Sequence, residues 1–283
     1  MTWTLTDDLD EYLATAEPFL AEDPVTETVL LTLARSLRVR GVDAFGDDKP
    51  LMGWWTGPDG SVEAALVQLP TRPLFLSRGP AEAVDAVDEL LARYAHRIPQ
   101  IRVSAGQEDA ISVGVLRRTG KAPTPYLRNR LYRLGQLVVP TPMPAGSAEL
   151  PADEDLELTT EWYGAFCTEV GEPDTPEQLA AQTRERIDRG EIRLWRRPDG
   201  VPVAMAALSA PIESMSRISL VYTPKDNRRR GYAGAVTATL CQIAIESGIE
   251  HILLFTDLAN PTSNALYQRI GFQQVSDAVV LTL

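Results

Sequence analysis

Apolar and polar positions along this chain set out the same succession of elements twice. In the C-terminal half, Leu194-Trp195 and Val203-Ala204-Met205-Ala206 are β-prone runs on either side of Pro198-Asp199-Gly200, the chemistry of a tight hairpin turn. Ile218, Leu220 and Val221 belong to a further strand, stopped by Pro224, which cannot donate to a ladder. Val236, Leu240, Ile243 and Ala244 then recur at helical spacing until Gly248, so a helix begins close to Gly231. Ile252 to Thr256 reads as a buried strand; Asn260 is placed to cap the next helix, with Pro261 at its first position and Gly271 at its end.

In the N-terminal half, Trp54 to Leu66 carries its own Pro58-Asp59-Gly60 turn and aligns with Leu194 to Ala206 at a constant offset of 140. A short strand (Leu74 to Leu76), a long amphipathic helix (Ala81 to His96), a strand (Gln100 to Val103) and a helix ending at Gly120 follow it. Matching order after a matching turn predicts a duplicated hairpin-strand-helix-strand-helix unit. Between the copies, Val139 to Ser147 packs three prolines into five residues, which is extended linker chemistry. The expected organisation is an α/β chain of two tandem mixed-sheet domains with flanking helices: 1–138, a linker 139–148, and 149–283.

At 283 residues and 44% hydrophobic composition there is core enough for both domains. The formal charge of −12 speaks against a general nucleic-acid binder. Residues 1–140 hold 15 basic and 19 acidic side chains, net −4, and residues 141–283 hold 12 and 20, net −8. That acidic half suits a cationic small-molecule partner, and is equally the mark of an ordinary solvated surface. Acids in Thr2 to Asp8 and the lack of an apolar run near the roughly 18 residues of a membrane span give the expectation of a cytoplasmic protein without membrane attachment. Cys167 and Cys241 lie in apolar helical patterns and read as reduced packing residues; His96 and His251 are the only histidines, so no metal site is expected.

Chemistry concentrates where the strand ending near Val221 meets the helix beginning near Gly231. A helix start presents unpaired N–H groups and about half a positive charge, and Gly231, Ala233 and Gly234 keep that surface bare. Arg228, Arg229 and Arg230 add long-range attraction for an anion such as a diphosphate. No Gly-Lys-Ser/Thr follows, and Gly231-Tyr232-Ala233 does not continue as the dinucleotide-binding pattern.

What Arg228-x-x-Gly231-x-Ala233 resembles is the Arg/Gln-x-x-Gly-x-Gly/Ala pyrophosphate loop of the GCN5-related N-acetyltransferases (GNAT). The segment from Asn260 through Asn264 and Tyr267 to Gly271-Phe272 is similar to the strand-Asn-helix-Tyr-x-x-x-Gly-Phe segment that lies beside the acyl-coenzyme A thioester in that family. The resemblance is specific over about 190–283, architectural over 1–135, and weak over 150–190. It implies acetyl-coenzyme A as co-substrate, without a metal, and a small-molecule amine as acceptor, in a monomer or homodimer. It further implies cofactor contacts from Val221, Thr223, Arg228, Arg229, Arg230, Gly231, Tyr232, Ala233, Gly234, Asn260 and Asn264. By the same resemblance a backbone N–H at Val221 polarises the acyl carbonyl and Tyr267 serves the departing thiolate.

The first copy lacks these features. Leu76 to Glu82 replaces the arginine loop, Leu116 meets Tyr267 and Val113 meets Asn264, so it is expected to be a degenerate partner. For a general base the candidates are Glu169 and Glu213, or water. Glu169 shares a helical stripe with Trp162 and Phe166, and either sits solvated at its edge or lines an acceptor pocket beneath a loop at Gly171-Glu172-Pro173-Asp174. Glu213 precedes the strand Met215 to Tyr222, and is either placed to reach the cleft where the central strands part or an ordinary glutamate on a turn surface. The competing reading is a module that binds acyl-coenzyme A, or another small ligand, without turning it over.

Overall fold

The chain opens with a strand, β1 (Thr2–Thr6), and two helices, α1 (Leu9–Ala21) and α2 (Thr28–Arg40), ahead of the first predicted hairpin. That hairpin is β2 (Leu51–Thr56) and β3 (Val62–Gln68); β4 (Leu74–Leu76), α3 (Ala81–Arg93), β5 (Gln100–Ser104), α4 (Glu108–Thr119) and β6 (Thr124–Leu134) follow. The same order then recurs. It runs β7 (Ser147–Glu149), α5 (Leu156–Glu169), α6 (Pro176–Asp188), β8 (Ile192–Arg196), β9 (Pro202–Leu208), β10 (Met215–Tyr222), α7 (Tyr232–Glu246), β11 (His251–Asp257), α8 (Pro261–Ile270) and β12 (Phe272–Thr282). This is a computed structural model and describes residues 2–46, 48–70, 72–171 and 175–283.

The two Pro-Asp-Gly hairpins match bond for bond. Gly57 N donates to Ser61 O at 2.8 Å, and Arg197 N to Val201 O at 3.0 Å. Gly60 and Gly200 stand at φ 89° and 81°, where a side chain is strained, and Asp59 and Asp199 accept from the backbone N–H two residues on. Trp54↔Ala65 corresponds to Leu194↔Met205, and each ladder shifts register at the same place, after Trp55 and after Trp195.

Compactness divides the chain at positions other than the proline-rich stretch. One unit runs to Leu131 and takes in Val275–Leu283; the other is Tyr132–Gln274. Residues 139–148, expected as the linker between domains, therefore lie inside the second unit. The physical reason is that Val138, just ahead of the stretch, donates a backbone bond to Ile270 O at 2.8 Å, while Ser147 and Ala148 at its end pair with Arg196 and Trp195 of β8. The C-terminal residues leave the expected domain because Ala278–Thr282 pair antiparallel with β5 in the first unit. There Val279 and Leu281 join Ile101, Val103 and the apolar faces of α3 and α4.

In the second unit β9 alternates its faces from Ala204 to Ala207, and β10 changes face between Ile218 and Leu220. Ala204, Ala206 and Ile218 face α7 and α8, with Tyr132, Val236, Leu240 and Ile270 around them. Met205, Ala207 and Leu220 face α5, among Trp162, Tyr163 and Cys167. Cys167 and Cys241 are both buried, one in each of these cores, as packing residues should be. Among the described residues no helix is long and apolar enough to cross a membrane, and no cluster of His, Cys, Asp and Glu fit to hold a metal ion occurs.

Candidate active site

Parallel pairing of β10 with β11 runs from Met215↔His251 to Ile218↔Leu254, after which both strands continue. Antiparallel pairing with β9 shifts at the same level: Ser219 pairs with Ala207 and Tyr222 with Met205, so Leu220 and Val221 together oppose Ala206. This is a β-bulge. Leu220 takes φ 50°, a left-handed backbone that costs a non-glycine residue about 1–2 kcal/mol. Its side chain is 4% exposed in the α5-side core, and burial of a leucine, worth about 1.5–3 kcal/mol, offsets that cost. The bulge takes backbone groups of Leu220 and Val221 out of the ladder at the strand end that faces α7.

Past Thr223-Pro224 the chain makes one short 3-10 turn (Lys225–Asn227) and enters α7 through two left-handed residues, Arg229 at φ 63° and Gly231 at φ 85°. Gly231 is the N-cap, and among the described residues no side chain caps it. The first ladder bond is Ala235 N to Gly231 O at 3.0 Å, so the N–H groups of Tyr232, Ala233 and Gly234 precede the ladder and point out of the helix start. A Cβ built on Gly231 would meet nothing nearer than Pro144 at 3.9 Å; the glycine is required by its φ and keeps the approach bare. Gly234 has a different reason, since a Cβ there would press to 3.2 Å on the Leu266 side chain of α8.

These elements surround one cavity of about 690 Å³, the size of a small-molecule site. Of the residues predicted for a cofactor, Val221, Thr223, Arg228, Arg229, Gly231, Tyr232, Ala233, Gly234 and Asn260 line it. Lys225, Arg228, Arg229 and Arg269 give it positive charge, against Glu169 as the one lining carboxylate among the described residues. Lys225 and Arg269 were not singled out in the sequence, though the basic run from Lys225 onward was the signal for the first. Tyr222 also lines the cavity, tilted against Trp162 with ring centroids 6.1 Å apart. Burial, and then the negative charge of Glu169, push its phenol above the ordinary tyrosine range.

Tyr267 is 7% exposed, lines the cavity, and stands edge-on to Phe272 at 6.0 Å. Burial pushes its phenol well above the ordinary range, so at neutral pH it is protonated and a hydrogen-bond donor. Asn260 caps α8 as predicted, its side-chain oxygen accepting from Ser263 N at 3.0 Å.

Three predicted residues fall elsewhere. Arg230 is exposed and is not part of the lining. Asn264 is a clasp in place of a cofactor ligand: its Nδ2 donates to Asp257 O (2.9 Å) and Asn260 O (2.7 Å), and its Oδ1 accepts from Tyr132 Oη at 3.0 Å. Both ends of the amide are thereby occupied. Glu213 sits in the tight turn between Ile212 and Met215 at φ 49°, before the start of β10. Ser214 and six residues of β10 lie between it and Val221, eight steps or at most roughly 26 Å at about 3.3 Å each, so it stands at the opposite end of the strand from Val221.

Glu169 does reach the cavity, and its partner is in the predicted phosphate loop. Arg228 Nη2 donates to Glu169 Oε1 at 2.5 Å, its Nε donates to Thr223 O at 2.8 Å, and its guanidinium lies 5.9 Å from the Tyr222 ring centre. The stripe Trp162, Phe166, Glu169 runs from core to solvent: Trp162 is buried, Phe166 half-buried, Glu169 exposed. Trp162 is thus core packing and not the wall of an acceptor pocket. Glu172, Pro173 and Asp174, expected as a loop over that pocket, lie outside the described residues.

In the first unit the corresponding ground is filled. The pairing of β4 with β5 is Leu74↔Ile101 and Phe75↔Arg102, and just beyond it buried Gln107 donates to Ser77 O at 2.8 Å and accepts from Ser104 N at 3.1 Å. Arg78, at the start of the turn into α3, donates through its backbone N to buried Glu27 at 3.0 Å and packs on Phe19 at 4.5 Å. Burial raises the Glu27 carboxyl above its usual range.

A model of the family described as FR47-like protein matches residues 200–280, which is β9 through most of β12. No curated protein matches the chain. Among solved structures, an acetyltransferase of the GNAT family from Colwellia psychrerythraea superposes with a TM-score of 0.65 at 11% identity, covering 99% of this chain and 98% of that one. A GCN5-related N-acetyltransferase from Sphaerobacter thermophilus gives 0.66 at 17%, covering 99% and 94%. One from Kribbella flavida gives 0.53 at 21%, covering 87% and 92%. The chain therefore has, over nearly its whole length, the mixed α/β fold of these GNAT structures.

Proposed function

We propose that this protein is an N-acetyltransferase that moves an acetyl group from acetyl-coenzyme A to the amine of a small molecule, and that its second unit alone holds the co-substrate. The observation that carries the reading is a convergence in one cavity: an uncapped helix start flanked by cations, backbone freed by the bulge at Leu220, and the protonated phenol of Tyr267. The residues present fit the co-substrate. The N–H groups of Tyr232, Ala233 and Gly234, with Arg228 and Arg229, would hold the diphosphate, and the Val221 end of β10 the acyl arm.

Acetyl-coenzyme A supplies the activated acetyl thioester when bound. The chain's own contribution is electrostatic and positional. Val221 N–H would donate to an acyl oxygen as charge develops there. An amine of pKa near ~10 arrives protonated, so Glu169 or water must take a proton before it attacks. Tyr267 holds the proton that the departing thiolate needs. The first unit, with Gln107 and Arg78 in the equivalent places, serves as a structural partner derived from a duplicated ancestor.

Thiol release from acetyl-coenzyme A across an amine panel tests this. Tyr267→Phe should lower kcat by about 10²–10⁴-fold, the usual worth of one general acid, with the coenzyme A dissociation constant changed less than about threefold. Coenzyme A binding without thiol release from any amine would favour the non-catalytic binding module. Two molecules bound per chain would sink the assignment to the second unit.

A further inference from the structure

We infer that Glu169 is an internal competitor for the diphosphate, held on Arg228 until an anionic ligand displaces it; this rests on the coenzyme A reading of the cavity. Glu169 is the last residue of α5, and a carboxylate at a helix C-terminus faces the negative end of the macrodipole. It is held there by Arg228, 59 positions away in sequence, through the 2.5 Å bond. Arg228 is the first residue of the phosphate-loop pattern, and its Nε bond to Thr223 O together with the Tyr222 ring fixes the guanidinium beside α5.

Both side chains are well exposed, at 40% and 44%, so the pair is weak enough to exchange. A diphosphate offers Arg228 more negative charge than one carboxylate, at the helix start to which that arginine is already tethered. Its arrival frees Glu169 at the edge of the cavity. The same exchange leaves an unpaired carboxylate there only when the co-substrate site is filled, which ties capture of a cationic acceptor to prior occupancy.

The test is isothermal titration of the full chain with coenzyme A, in wild type, Glu169→Gln, Arg228→Gln and the double variant. Glu169→Gln is isosteric and exposed. It should tighten coenzyme A by about two- to fivefold, the worth of one exposed ion pair, because the competitor is gone. In the Arg228→Gln background the same change should do nothing, since there is no cation left to release. Unchanged or weaker affinity in Glu169→Gln overturns the inference. So does an equal gain in both backgrounds, which would reflect removal of a negative charge near an anion and no exchange. If wild type binds coenzyme A and only these comparisons fail, the inference falls alone; if wild type shows no binding, the proposed function falls and takes this with it.

Discussion

At the scale of single residues, the position that does most to open the site is one that looks ordinary in sequence. Ile218-Ser219-Leu220-Val221-Tyr222 contains no glycine, so nothing flags a left-handed residue in a β-prone run. The bulge depends on tertiary packing, with Leu220 held at φ 50° by the core against α5. Leu220→Ala should therefore destabilise the protein by about 2–4 kcal/mol in urea denaturation, since it loses the burial and keeps the strained backbone. Leu220→Gly, which removes the strain as well, should cost less than the alanine change relative to the side chain it deletes; an alanine variant of wild-type stability would mean that packing does not hold the bulge. Asn264 was equally illegible, because its partner Tyr132 is 132 positions away. Tyr267 was placed at the cavity by its motif, and burial raises its phenol still further above the ordinary range.

Among the elements, caps and turns were the legible part, because their chemistry is local. Asn260 with Pro261 starts α8, Gly271 ends it at φ 106°, and both Pro-Asp-Gly hairpins form as spaced. Side-chain roles at element ends were less so: the place of Glu213 before β10 left both the cleft and a turn surface open, and the structure puts it in the turn. The start of α7 supplies the sharpest element-level test. Gly231→Glu forces a side chain onto φ 85° and puts negative charge at the uncapped N–H groups, so coenzyme A binding should fall below detection. Because Gly231 is exposed, with space above it, the melting temperature should drop by only a few degrees. Retained affinity in a folded Gly231→Glu protein would remove the helix start from the binding site.

For the whole molecule, the sequence pattern gave the element order and missed the allocation of the last strand. Composition marks 139–148 as a boundary because prolines and glycine look like linker chemistry, but backbone pairing decides otherwise. Val279 and Leu281 are fully buried in the first unit's core, and Tyr132, also fully buried, and Leu134 belong to the second unit's. A cut after Val138 therefore deprives each fragment of strand residues: 1–138 loses the partner of β5, and 139–283 loses Tyr132 and the clasp on Asn264. At about 1.5–3 kcal/mol for each large apolar side chain removed from a core, plus the unpaired edge of β5, the loss is comparable to the whole stability of a small domain. Expressed alone, each fragment should lack a cooperative thermal transition, and the two expressed together should recover one, with one coenzyme A bound per pair. If 139–283 alone melted cooperatively and bound coenzyme A at full affinity, the proline-rich stretch would be the true boundary and the C-terminal strand a dispensable attachment to the first unit.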